Sequence, residues 1–101
     1  MIPSKIQIEE DEMPHCWIEV PLDKALNSKC LHYDLSKGQK DPSCRYVVMI
    51  ECGAVGGEYY TLDYFDEDGK WFTQLAFGEL DAAFTQIEFE FSLKREDWQY
   101  P

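Results

Sequence analysis

Two arms crowded with aromatic and β-branched residues flank the reversal Asp66-Glu67-Asp68-Gly69: Glu58-Tyr59-Tyr60-Thr61-Leu62-Asp63-Tyr64-Phe65 before it and Lys70-Trp71-Phe72-Thr73-Gln74-Leu75-Ala76-Phe77 after it. Such side chains fit a pleated, half-buried surface, and an Asp-Gly pair supplies the residue that tolerates positive φ where the chain must turn. A hairpin over residues 58–77 is therefore the unit that the rest of the chain must pair with or cover. The chain has 101 residues, enough for one modest core, so a single domain over residues 1–101 is expected. With 45% hydrophobic and 15% aromatic residues it can fold despite a net charge of −11.

On either side of the hairpin the pattern stays largely that of a sheet. Residues 1–13 read as an arm, in which Ile6 and Ile8 alternate ahead of the charge run Glu9-Glu10-Asp11-Glu12. Pro14 and Pro21 bracket a first strand, His15-Cys16-Trp17-Ile18-Glu19-Val20, with Trp17 as a core anchor. Leu22, Ala25 and Leu26 then fall on one face of a short helix. Residues 30–35 read as another strand, residues 36–43 as a surface loop, and residues 53–57 as a glycine-rich hairpin connection.

The most continuous apolar run, Arg45-Tyr46-Val47-Val48-Met49-Ile50-Glu51-Cys52, is expected to be the central strand, covered on both faces. Residues 78–84 offer a short helix. Beyond it Ile87, Phe89, Phe91 and Leu93 alternate with Glu88, Glu90 and Ser92, the pattern of an amphipathic strand with two carboxylates about 7 Å apart on its wet face. The tail carries Trp98 and Tyr100, placed to fold back over the core edge. Short connections force antiparallel pairing. The expected fold is mainly β, or α+β: one twisted antiparallel sheet or half-barrel of about six strands, with one or two short helices.

Charge is the strongest functional signal. Residues 46–93 hold ten acids and one base, Lys70, whereas the remaining residues hold ten acids and eight bases. Such a surface repels phosphates and anionic lipid, so neither direct nucleic-acid binding nor membrane binding is expected. A basic protein partner is expected instead. No run approaches the ~20 apolar residues of a membrane span. The first nine residues lack the apolar core of a signal peptide, which points to the cytoplasm.

Catalytic and metal motifs are weak by comparison. Cys16, Cys30, Cys44 and Cys52 form no Cys-x-x-Cys pair, so reduced thiols and no metal are expected. An EF-hand register with Gly69 at its invariant glycine would begin at Tyr64 and end at Leu75, where acids are required. With twenty acids in the chain, some carboxylate pair falls close together by chance, and two histidines, His15 and His32, have no catalytic signature around them. No cofactor and no enzymatic activity are expected.

In general character, with the acidic hairpin over residues 58–77 and then Ile87-Glu88-Phe89-Glu90-Phe91, the chain resembles the immunity proteins of bacterial contact-dependent growth inhibition and related toxin systems. The resemblance implies a small cytoplasmic protein that neutralises one cognate toxin, frequently a ribonuclease or a DNase, by covering its cationic surface. Charge, and not the resemblance, selects the expected partner-binding residues: Asp63, Asp66, Glu67, Asp68, Glu79, Asp81, Glu88 and Glu90. Two other readings share the same acidity. One is a nucleic-acid mimic, of the kind phages encode, that blocks a defence nuclease. The other is a subunit that docks into an assembly without inhibiting anything.

Overall fold

The structure, a computed structural model, describes residues 2–29, 44–53 and 59–100, together with the backbone at 32–34 and 39–41. The connection expected over residues 53–57 lies outside the described residues beyond Gly53, as do Cys30 and the side chain of His32.

Four strands form one open antiparallel sheet: β1 (Met13–Glu19), β4 (Tyr46–Cys52), β5 (Tyr59–Phe65) and β6 (Trp71–Phe77), in the order β1-β4-β5-β6. Between β1 and β4 come helix α1 (Leu22–Leu26) and a separate two-stranded ladder, β2 (His32–Asp34) with β3 (Gln39–Asp41). The main sheet thus has four strands where about six were expected, because β2 and β3 pair only with each other. Residues 39–41, expected in a loop, supply β3.

The hairpin expectation holds. β5 and β6 pair from Tyr60↔Phe77 to Phe65↔Trp71, with one irregularity beside Phe65. Asp66 Oδ1 fastens the turn by accepting from the backbone N–H of Asp68 and of Lys70, each at 2.9 Å. On the edge strand β1 the register shifts between Pro14 and Cys16, a bulge where proline's missing N–H does least harm.

As expected, β4 is covered on both faces, and the register divides its side chains between two cores. Val47 and Met49 join Cys16, Ile18, Leu62, Tyr64 and Phe72 beneath helix α2 (Leu80–Phe91). Tyr46, Val48, Ile50 and Phe65 point to the other side, where Ile6 is buried and Ile2 and Ile8 pack against them. Residues 2–8 are thus a working cover for the sheet. Each fully buried aliphatic or aromatic side chain contributes about 1.5–3 kcal/mol, so a two-residue slip of the arm would cost a sizeable part of a small domain's stability.

The strand expected over residues 87–93 is corrected: these residues continue α2 through Phe91. Ile87 and Phe91 satisfy both a two-residue alternation and the helical series Leu80, Ala83, Phe84, Ile87, Phe91, and the helical series wins because it buries one continuous stripe. Phe89, which alternation placed in the core, is 54% exposed. Ser92 ends the helix in the left-handed region at φ 58°. The tail then returns, as expected, to bury Trp98 against Phe84, ring centroids 5.3 Å apart and nearly perpendicular.

Candidate functional site

The eight charge-selected carboxylates separate into three environments. Asp63 and Glu90 are in the interior, 6% and 1% exposed, and do not face outward as partner contacts would. For Glu90 the cause is the change from strand to helix. Two residues apart on a strand share a face, but two residues apart on a helix are about 200° apart, so Glu88 faces solvent while Glu90 faces the sheet. There Glu90 accepts hydrogen bonds from the Tyr64 hydroxyl at 2.5 Å and from Gln86 Nε2 at 2.9 Å.

Asp63 lies on the arm side of β5, opposite Val48 on one neighbour and Gln74 on the other. Gln74 Nε2 donates to it at 2.8 Å. Burial raises its carboxyl above the ordinary value, the Gln74 hydrogen bond opposes that shift, and the nearby Glu12 charge reinforces it. Asp63 thus lies on the face opposite Leu62 and Tyr64, and nothing local in the sequence indicates that the arm covers that face.

The second group is engaged at the surface. Asp66 holds the hairpin turn together, and Asp81 pairs with Arg95 Nη1 at 2.9 Å. The third group, Glu67, Asp68, Glu79 and Glu88, is exposed and makes no ion pair among the described residues. Glu67 and Asp68 sit at the hairpin tip. Glu79 precedes α2 as its N-cap and Glu88 lies on it, across the sheet from the arm, whose own Glu9, Glu10 and Asp11 are also exposed.

Several cations near these acids are engaged by other groups of the chain. Lys5 Nζ donates to the Glu67 carbonyl at 2.7 Å and sits 5.0 Å from the Tyr46 ring centroid. Arg45 Nε donates to the Val20 carbonyl at 2.9 Å. Arg95 lies over Phe84 as well as against Asp81. These three cations thus have partners within the chain, whereas Glu67, Asp68, Glu79 and Glu88 make no ion pair among the described residues.

Other chemistry-bearing groups have structural settings. Cys16 is fully buried with its thiol 4.0 Å from Met49 Sδ, and burial pushes that thiol up to about 12. Burial likewise raises the Cys44 thiol, and neither cysteine resembles an activated nucleophile. His15, at the β1 bulge, stands between the rings of Tyr60 and Tyr100, centroids 6.0 and 5.9 Å away, with its Nδ1 3.9 Å from Glu51 Oε1. Among the described residues no three of His, Cys, Asp and Glu converge as metal ligands would, and no helix is long and apolar enough to cross a membrane.

No family model, curated protein or solved structure matches the chain.

Proposed function

We propose that this chain is a small acidic binding protein that neutralises a basic partner, acting as an immunity protein that covers the cationic surface of a cognate nuclease toxin. The observation that carries this reading is the asymmetry of charge at the surface. Glu67, Asp68, Glu79 and Glu88 face outward with no ion pair among the described residues, while Lys5, Arg45 and Arg95 are directed onto backbone carbonyls, rings or Asp81. A nuclease must present positive potential to attract phosphates, and a carboxylate-rich protein is steered to the same surface. Exposed aromatics, Tyr59 at 43% and Trp71 at 38%, supply candidates for the buried anchors of such an interface.

The division of the acids between the hairpin tip and α2 favours one shaped partner over nucleic-acid mimicry. A mimic needs carboxylates that follow phosphate spacing along one continuous face. The deciding experiment is capture by the tagged chain from lysate of its native host, at ~0.15 M and then ~0.5 M salt, across which exposed electrostatic contacts weaken. The captured protein is then assayed for nucleic acid cleavage with and without the chain. One basic protein retained at both salts, with its cleavage blocked, is the expected result. Many basic proteins, all lost at the higher salt, would reduce the acidity to a generic property and sink the reading.

A further inference from the structure

A groove of about 350 Å³ runs along the outer side of α2, lined by Asp81, Phe84, Thr85, Glu88 and Arg95. The four helix residues follow one another at spacings of three, one and three, so they form a single stripe about 10 Å long at 1.5 Å per residue. Arg95 enters from the 3₁₀ turn Arg95–Asp97, after Ser92 has reversed the chain. Its guanidinium carbon lies 4.1 Å from the Phe84 ring centroid, and its Nη1 meets Asp81 at 2.9 Å.

The groove therefore already displays how it accommodates a guanidinium: an aromatic face beneath and a carboxylate at one end. At the other end Glu88 makes no ion pair among the described residues. The resident pair is loosely held, because Arg95 is 54% and Asp81 81% exposed, and ion pairs at such exposure contribute little. A planar, weakly hydrated cation suits this lining better than an ammonium, which stacks less well and gives up its water less readily.

We infer that the α2 groove is a subsite for an arginine side chain of a basic protein partner, with Arg95 as an internal placeholder that the incoming guanidinium displaces. The inference rests on the basic-partner reading for the source of that arginine. It assigns to Glu88 and Asp81 the carboxylate contacts, and to Phe84 the stacking face that Arg95 covers in the free protein.

The test is a titration of the isotope-labelled full chain with acetyl-Gly-Arg-Gly-amide, followed by nuclear magnetic resonance, with the Gly-Lys-Gly counterpart as control. The arginine peptide is expected to shift the amides of residues 81–88. Arg95→Ala is expected to bind it about threefold more tightly, the scale of one exposed ion pair removed from competition. Glu88→Gln is expected to weaken it.

Arg95→Lys, which keeps the cation and loses the planar fork, serves as a second variant should Arg95→Ala not fold, and it too is expected to bind more tightly than the wild type. Unimproved binding by the folded Arg95 variants, or equal shifts from the lysine peptide, would overturn the assignment. No toxin is needed for this titration. Its failure would remove the groove and leave the basic partner standing, whereas a failed lysate capture would leave a positive titration intact.

Discussion

Tyr64 on β5 donates its hydroxyl to Glu90 on α2 at 2.5 Å, joining the sheet to the helix through two polar groups in an otherwise apolar layer. Gln86, one turn earlier on α2, donates to the same carboxyl oxygen. A buried acceptor that loses one of its donors loses part of the compensation for its desolvation. Tyr64→Phe is therefore expected to destabilise the domain by about 1–3 kcal/mol, despite removing a single oxygen. A double-mutant cycle with Glu90→Leu, which removes the acceptor, should return in urea a coupling energy of at least ~0.5 kcal/mol. Additive effects would mean that the two groups are neighbours without being partners.

Asp63 makes stability depend on pH in a direction unusual for a carboxylate. Burial raises its folded value above the ordinary 3.8, so the folded state holds this proton more tightly than the unfolded chain does. The associated stability is fully present below 3.8 and is lost as pH rises through the folded value. Asp63→Asn keeps an acceptor for Gln74 and removes the charge beside Glu12. It should be more stable than the wild type near neutral pH, with the difference closing as pH falls towards 3.8. Thermal melts of both proteins across that range check the sign, and a less stable Asn variant at neutral pH would show that hydrogen bonding to the ionised form outweighs burial.

Gly69 ties the hairpin tip to the arm. Its φ is +81°, and a β-carbon there would lie 2.5 Å from the Lys5 carbonyl oxygen and 2.8 Å from its carbon, both backbone atoms that cannot swing aside. Gly69→Ala thus meets conformational strain and a collision together, and should cost more than ~1 kcal/mol. The loss should appear first as faster amide exchange and proteolysis within residues 2–12, before the sheet itself opens. An arm protected equally in both proteins would show that its docking does not depend on this approach.

The parts of this fold that were legible in the sequence are those whose determinants are local. The β5–β6 hairpin follows from two aromatic arms and an Asp-Gly reversal, and β4 from an uninterrupted apolar run. What was misread depended on partners distant in sequence. Ile87 and Phe91 satisfy two periodicities at once, and only the presence of a sheet to cover decides for the helix. The burial of Glu90 depends on Tyr64, 26 residues away, and the seating of the arm on a Lys5–Glu67 contact across 62 residues. The α2 groove likewise needs Arg95 to return over Phe84, which no spacing announces. Charge counting found the exposed Glu67, Asp68, Glu79 and Glu88, but it could not separate them from Asp63 and Glu90, because a count carries no burial.

That separation determines which charge reversals are informative for partner binding. Reversal at Glu90 or Asp63 would place a cation in the core, and reversal at Asp66 would remove the acceptor that closes the hairpin turn, so lost binding in those variants would report unfolding. Glu67→Lys with Asp68→Lys tests the hairpin tip, and Glu79→Lys with Glu88→Lys tests α2. None of the four wild-type side chains holds a charged partner among the described residues, so both double variants should melt within about 1 kcal/mol of the wild type. If the proposed partner sits on these surfaces, at least one pair should weaken its binding by about tenfold or more, chiefly through a slower association rate that is most evident at low salt. Calorimetry and stopped-flow mixing with the captured partner would measure both quantities. Unchanged affinity in both variants would detach partner binding from the acidic surface and move the search to the exposed Tyr59 and Trp71.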